Sequence, residues 1–163
     1  MTIKPLFLFS TLLVSSAASA HITLEQPSAP AGSYYKAIFR VPHGCEGHAT
    51  TGITIEFPGA FHNAHPMPKA GWVLSTMPRK EIHEPASVSW KEGSLPNEWY
   101  DEFVVRGQLA KDAPEVLSFT VVQQCGDVVE RWDQPMPADE HAAEPEYPAP
   151  VLHVTAQQTE HHH

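Results

Sequence analysis

Short apolar runs of period two, cut apart by proline, leave this chain few ways to fold. Ala37, Phe39 and Val41 alternate with Lys36, Ile38 and Arg40, which puts one set of side chains on each face of a pleated strand. Further runs rich in Val, Ile, Phe, Tyr, Trp and Thr cover Gly52 to Phe57, Ser87 to Lys91, Trp99 to Arg106, Val116 to Gln123, Val128 to Trp132 and Val151 to Thr155. Many of the 16 prolines stand between these runs, at Pro27, Pro30, Pro42, Pro58, Pro66, Pro68, Pro78, Pro85 and Pro96. Proline has no amide hydrogen to give to a sheet, so it marks strand ends and edges. Helical periodicity is scarce. The pattern predicts an all-β chain folded as an antiparallel β-sandwich.

Residues 1–20 read as an export signal rather than as part of that fold. Lys4 is followed by an apolar stretch from Pro5 to Val14, and Ala18-Ser19-Ala20 has the small residues that signal peptidase accepts. The apolar run is too short to cross a bilayer as a stable helix, and no run of membrane-spanning length follows it. A cut after Ala20 makes His21 the first residue; a cut after Ala18 is the alternative. Residues 21–156 are of a length for one domain, and residues 157–163 form a polar tail, expected to be disordered, ending in three histidines. Pro135 to Pro150, rich in proline, alanine and acidic residues, reads as an extended surface loop. The formal charge is −9, and loss of Lys4 makes it more negative still. That acidity argues against nucleic acid or anionic lipid as partner and suits a cation. The two cysteines, Cys45 and Cys125, are expected to pair as one disulfide in a periplasmic or other oxidising setting. A metal site built on both thiols is the rival reading.

A histidine at a chain start offers its α-amine and its imidazole to one metal ion without help from folding. Both nitrogens lose their protons easily near neutral pH, and two nitrogens in one plane suit tetragonal copper(II). From His21 onward the residues supply more than this chelate. The segment A-G-S-Y-Y-K-A-I-F-R-V-P-H-G-C-E-G-H-A-T-T starts at Ala31, and L-P-N-E-W-Y-D-E-F-V-V-R-G starts at Leu95. F-T-V-V-Q-Q-C-G follows from Phe119, R-W at Arg131 and P-A-P-V-L from Pro148. Through these blocks the chain resembles the YcnI-like family of exported copper-binding proteins over nearly its whole length beyond residue 20.

The resemblance implies a sandwich of cupredoxin or immunoglobulin-like kind holding one copper(II) per chain. It places the metal on His21, Glu102 and Trp132. Periodicity alone leaves Glu102 and its neighbour Asp101 open as the carboxylate, since they point to opposite faces of one strand. An indole nitrogen donates and does not ligate, so Trp132 is expected to set its ring over the cation. Trp72, Trp90 and Trp99 are expected in the core. Some family members carry a carboxy-terminal membrane anchor; none is expected here, since residues 21–163 hold no apolar run of that length.

The remaining histidines are weaker candidates. His43 is expected beside the disulfide and His48 in solvent. His62 and His65 fall with Met67 in a proline-rich stretch read as a solvated loop, and Met136 is read the same way. Enzyme signatures such as G-x-S-x-G, H-E-x-x-H or a phosphate loop are absent. The expectation is a monomeric, non-catalytic periplasmic protein for copper trafficking or homeostasis, working with another exported or membrane copper-handling protein. A copper monooxygenase is the alternative from a different class; it needs a second histidine, for which His43, His65 and His153 are available. A sandwich that binds a protein partner, with metal incidental, is the third.

Overall fold

The computed structural model describes residues 21–79, 84–139 and 141–157, and in them it has strands and no helix. The expected signal at 1–20 and the terminal histidines lie outside this range. In chain order the strands are β1 (Thr23–Leu24), β2 (Ser28–Pro30), β3 (Tyr34–Val41), β4 (Thr50–Glu56), β5 (Phe61–Pro66) and β6 (Val73–Pro78). They continue as β7 (Pro85–Leu95), β8 (Asp101–Leu109), β9 (Val116–Ser118), β10 (Thr120–Cys125), β11 (Val128–Trp132) and β12 (Val151–Thr155).

Three sheets result, ordered β1-β3-β8-β5, β11-β10-β4-β7-β6 and β2-β12-β9. All pairings are antiparallel except that of β2 with β12, where Ser28 to Pro30 run alongside His153 to Thr155. The alternation on β3 survives intact: Tyr35, Ala37, Phe39 and Val41 are buried, and the residues between them are not. Phe39 and Phe103 of the first sheet face Ile55, Val88, Trp90 and Val121 of the second in one core. Trp90 meets Phe103 with ring centres 5.3 Å apart, and its indole N–H donates to the Met67 carbonyl. The result is the expected β-sandwich.

Three readings need correction. The run Val116 to Gln123 is two strands in two sheets. The chain turns at the fully buried Phe119, whose amide donates to the Pro150 carbonyl. His62 and His65 sit on strand β5, not in a loop; the register slips between them, beside Asn63 with its positive φ. Trp99 is 65% exposed rather than core. It lies in the turn that its amide closes onto Pro96, before β8 begins, so the strand's alternation never reaches it.

The disulfide forms as expected between Cys45 and Cys125, with Cα atoms 5.7 Å apart. Cys45 lies in the connection that carries the chain from β3 in the first sheet to β4 in the second, and Cys125 ends β10.

Candidate metal centre

His21 precedes β1, and the register of the first sheet shows what stands beside it. Thr23 is opposite Arg40, and Arg40 is opposite Glu102. Directly opposed residues share a face of a sheet, so Thr23, Arg40 and Glu102 form one row. His21, Pro42 and Tyr100 each lie two residues further toward the same end. A single depression is lined by His21, Thr23, Arg40, Pro42 and Tyr100. The Arg40 guanidinium donates to the Thr23 hydroxyl and pairs with Glu25 at 3.0 Å.

Glu102 therefore shares the sheet face of His21, with its carboxylate held by the Tyr100 hydroxyl, which donates to it. Desolvation, then that hydrogen bond and the Glu102 charge, push the Tyr100 hydroxyl up to about 12. Asp101 turns to the other face. It pairs with Lys69 at 2.7 Å, and the Lys69 ammonium lies over the Phe103 ring. Of the two neighbours, Glu102 thus stands in the row of Thr23 and Arg40, and Asp101 is engaged by Lys69.

Trp132 comes from the other sheet. Its ring is 2% exposed and packs against the His21 imidazole with centres 5.9 Å apart and planes at 62°. Its N–H donates to Gln123 Oε1 at 3.1 Å, so the indole offers His21 only its ring. Gln123 is itself fully buried, and its amide donates to the His43 carbonyl and the Thr50 hydroxyl, both at 2.8 Å. The Thr50 hydroxyl in turn is 3.8 Å from Cys125 Sγ. A continuous polar chain links the disulfide to the ring beside His21. On the far side Tyr147 packs edge-on against Trp132 at 5.3 Å.

The third neighbour of His21 is Glu144, whose Oε1 is 3.2 Å from His21 Nδ1. It belongs to the proline-rich segment between β11 and β12. That segment is tied down by Gln134, which exchanges backbone hydrogen bonds with Tyr147 and Ala149. A second depression is lined by His21, Pro27, Met136, Glu144 and Pro148 among others. The surroundings are acidic. Burial, together with Glu46 and Glu146, raises the pKa of Glu130, while His43 opposes the rise.

The other histidines are spread out. His43 is half-buried by the disulfide with its Nδ1 on the Gly44 carbonyl, and His48 is exposed, both as expected. His62 contacts Glu84 at 3.1 Å. His65 is on β5, at the opposite edge of the first sheet from β1, and His153 lines a separate depression with Lys111 and Glu115. Among the described residues no three His, Cys, Asp or Glu side chains are gathered as a ready-made metal cluster.

A family model described as a domain of unknown function, DUF1775, matches residues 21–154. The chain belongs to the DUF1775 family. The DUF1775 match begins on His21 and contains Glu102, Trp132 and Glu144. An uncharacterized protein from Nocardia farcinica, whose crystal structure reveals an immunoglobulin-like fold, is 32% identical. Its match covers 85% of this chain and 100% of that one, with a TM-score of 0.71. The seventh ScaB type I cohesin from Pseudobacteroides cellulosolvens also aligns, over 88% of this chain and 96% of that one, at 8% identity and a TM-score of 0.49. No curated protein matches the chain.

Within this DUF1775 domain, then, the structure brings His21 and Trp132 into contact and sets Glu102 on the same face, engaged by Tyr100. Reading the sequence missed Glu144, Gln123 and Tyr147. Tyr147 is the one aromatic residue in the acidic, proline-rich segment, and that was the available hint that part of it is pinned to the core. Nothing in the sequence singles out Glu144 from Glu146.

Proposed function

We propose that this DUF1775 protein binds one copper(II) ion as cargo, exported to the periplasm and trimmed so that His21 is its first residue. The ion is held by the His21 α-amine and imidazole, by Glu102, and against the Trp132 ring. The observation that carries this reading is the packing of His21, at the start of the domain, against a buried tryptophan from the opposite sheet. Proteins of the YcnI-like family carry the DUF1775 domain, and the matched region starts on this histidine.

The donor chemistry fits. Both cysteines are in the disulfide, so thiolates, which favour copper(I) and zinc, are out of play. Amine, imidazole and carboxylate remain, a set suited to copper(II). The α-amine and Nδ1 close a six-membered ring on one ion, whereas Nε2 points away from the amine. Arg40 and Glu25 neutralise each other beside the site, and the surrounding carboxylates favour a cation. Trp132 supplies a rigid apolar wall whose polar atom is already satisfied by Gln123. The role is carriage of copper rather than chemistry on a substrate. The placement of His65 and His153 away from His21 removes two of the three histidines that a two-histidine oxidase could use, leaving His43.

The test compares the protein beginning at His21, verified by intact mass, with the same protein acetylated at its α-amine. Acetylation removes the primary amine and with it the chelate, whereas an added residue would bring a new amine and amide within reach of the imidazole. Loss of a group that merely supports a metal site costs about 10- to 100-fold in affinity, so the acetylated protein is expected to bind copper(II) weaker by about 100-fold or more in calorimetry. It should also lose the nitrogen-rich electron paramagnetic resonance (EPR) signal. Equal affinity and identical spectra in the two proteins would sink the proposal.

A further inference from the structure

Resting on that copper reading, we infer that Glu144 is a further ligand to the ion, delivered by the segment between β11 and β12. The argument begins with which atom of His21 it touches. Nδ1 is the nitrogen that chelates together with the α-amine, and Glu144 Oε1 is 3.2 Å from that same atom. Two donors at right angles on one ion, with bonds of about 2.0–2.2 Å, stand about 2.8–3.1 Å apart. The contact is already close to the spacing of adjacent ligands.

The position is also built rather than incidental. Glu144 lies three residues before Tyr147, whose ring packs on Trp132, which in turn packs on His21. Gln134 Oε1 accepts from the Tyr147 amide at 2.8 Å, and the Gln134 amide donates to the Tyr147 carbonyl at 3.0 Å. Proline at 145, 148 and 150 stiffens what lies between. The same segment that seals Trp132 therefore sets a carboxylate at Nδ1. Glu144 lines a different depression beside His21 from the one lined by Pro42 and by Tyr100, the partner of Glu102.

The side chain is 57% exposed, so replacing it leaves the fold intact. The experiment titrates copper(II) into the protein starting at His21, its Glu144→Gln variant and its Glu146→Gln variant, with calorimetry and EPR on each. Glu146→Gln removes the same charge from the same segment and controls for long-range attraction. Loss of a supporting group at a metal site typically costs 10- to 100-fold in affinity. Glu144→Gln is expected to weaken binding by about that factor and to change the copper hyperfine splitting, while Glu146→Gln stays near the parent. Parent-like affinity and spectrum for Glu144→Gln, or an equal loss in both variants, overturns the assignment and leaves the copper reading standing. Failure of the unmutated protein to take up copper overturns both.

Discussion

Gln123 shows how much of the candidate site depends on a residue with no distinction in the sequence. It sits in a run of Val, Thr and Gln, and nothing there marks it as the hub joining Trp132, His43 and Thr50. Replacing it with leucine keeps the volume roughly constant and removes three hydrogen bonds at once: from the indole N–H, to the His43 carbonyl and to the Thr50 hydroxyl, which keeps its contact with Cys125 Sγ. Losing a buried bond costs about 1–3 kcal/mol where a group is left unsatisfied. Gln123→Leu is expected to lower stability by about 3 kcal/mol or more in urea titration, and to change Trp132 fluorescence before unfolding begins. A loss under about 1 kcal/mol would mean that the network adds little to holding the ring. The same scale explains what was and was not legible around Glu102. Alternation along β8 said that Asp101 and Glu102 face opposite ways, but which way required the β3 register and Lys69. The error at Trp99 arose similarly, since a period of two holds only where the strand has begun.

At the scale of elements, the runs from Val128 to Trp132 and from Val151 to Thr155 were read to the residue, because apolar alternation and flanking turns agreed. The strands that escaped notice, β1, β2, β5 and β6, are short, edge-placed or interrupted by proline and histidine, and are defined by their partners rather than by their own composition. β5 illustrates the point. Its Phe61 is fully buried and projects onto β8 at Gly107, where a methyl group would lie 2.3–2.7 Å from the Phe61 ring. A glycine inside a strand thus reports the close approach of a neighbour. Gly107→Ala must push that ring out of a packed core, where Phe61 also meets Phe119 with centres 5.5 Å apart. Overpacking of this kind costs about 1–3 kcal/mol. The expected result is a lower urea midpoint at unchanged slope, relieved when Phe61→Leu is added in the same chain. If the double variant is no more stable than Gly107→Ala alone, the clash with Phe61 is not the cause.

For the whole molecule, the sandwich class was legible because it follows from the sum of many local signals. The partition into three sheets, and the parallel pairing of β2 with β12, depend on contacts between distant parts of the chain that local patterns do not encode. The disulfide is the strongest of these long-range ties. It joins residues 80 apart, fixing the crossing between β3 and β4 to the end of β10. In the chain-entropy account, closing so long a loop stabilises the folded state by about 4–4.5 kcal/mol through the unfolded chain. The Cys45→Ser, Cys125→Ser double variant is therefore expected to fold to the same sheets by circular dichroism. Its urea midpoint should fall by about 1.3 M or more, given slopes of about 1–3 kcal/mol per molar. Its slope should rise somewhat, because the uncrosslinked chain exposes more surface on unfolding. No proposed copper ligand is altered, so binding below the unfolding range should stay at one ion per chain. The coupling to the site runs through Gln123, by way of Thr50 and of His43. If the double variant folds with undiminished stability, the bond does not act as an entropic tie. If it folds but no longer packs Trp132, as fluorescence would report, the bond's role lies in placing the metal centre rather than in holding the sandwich together.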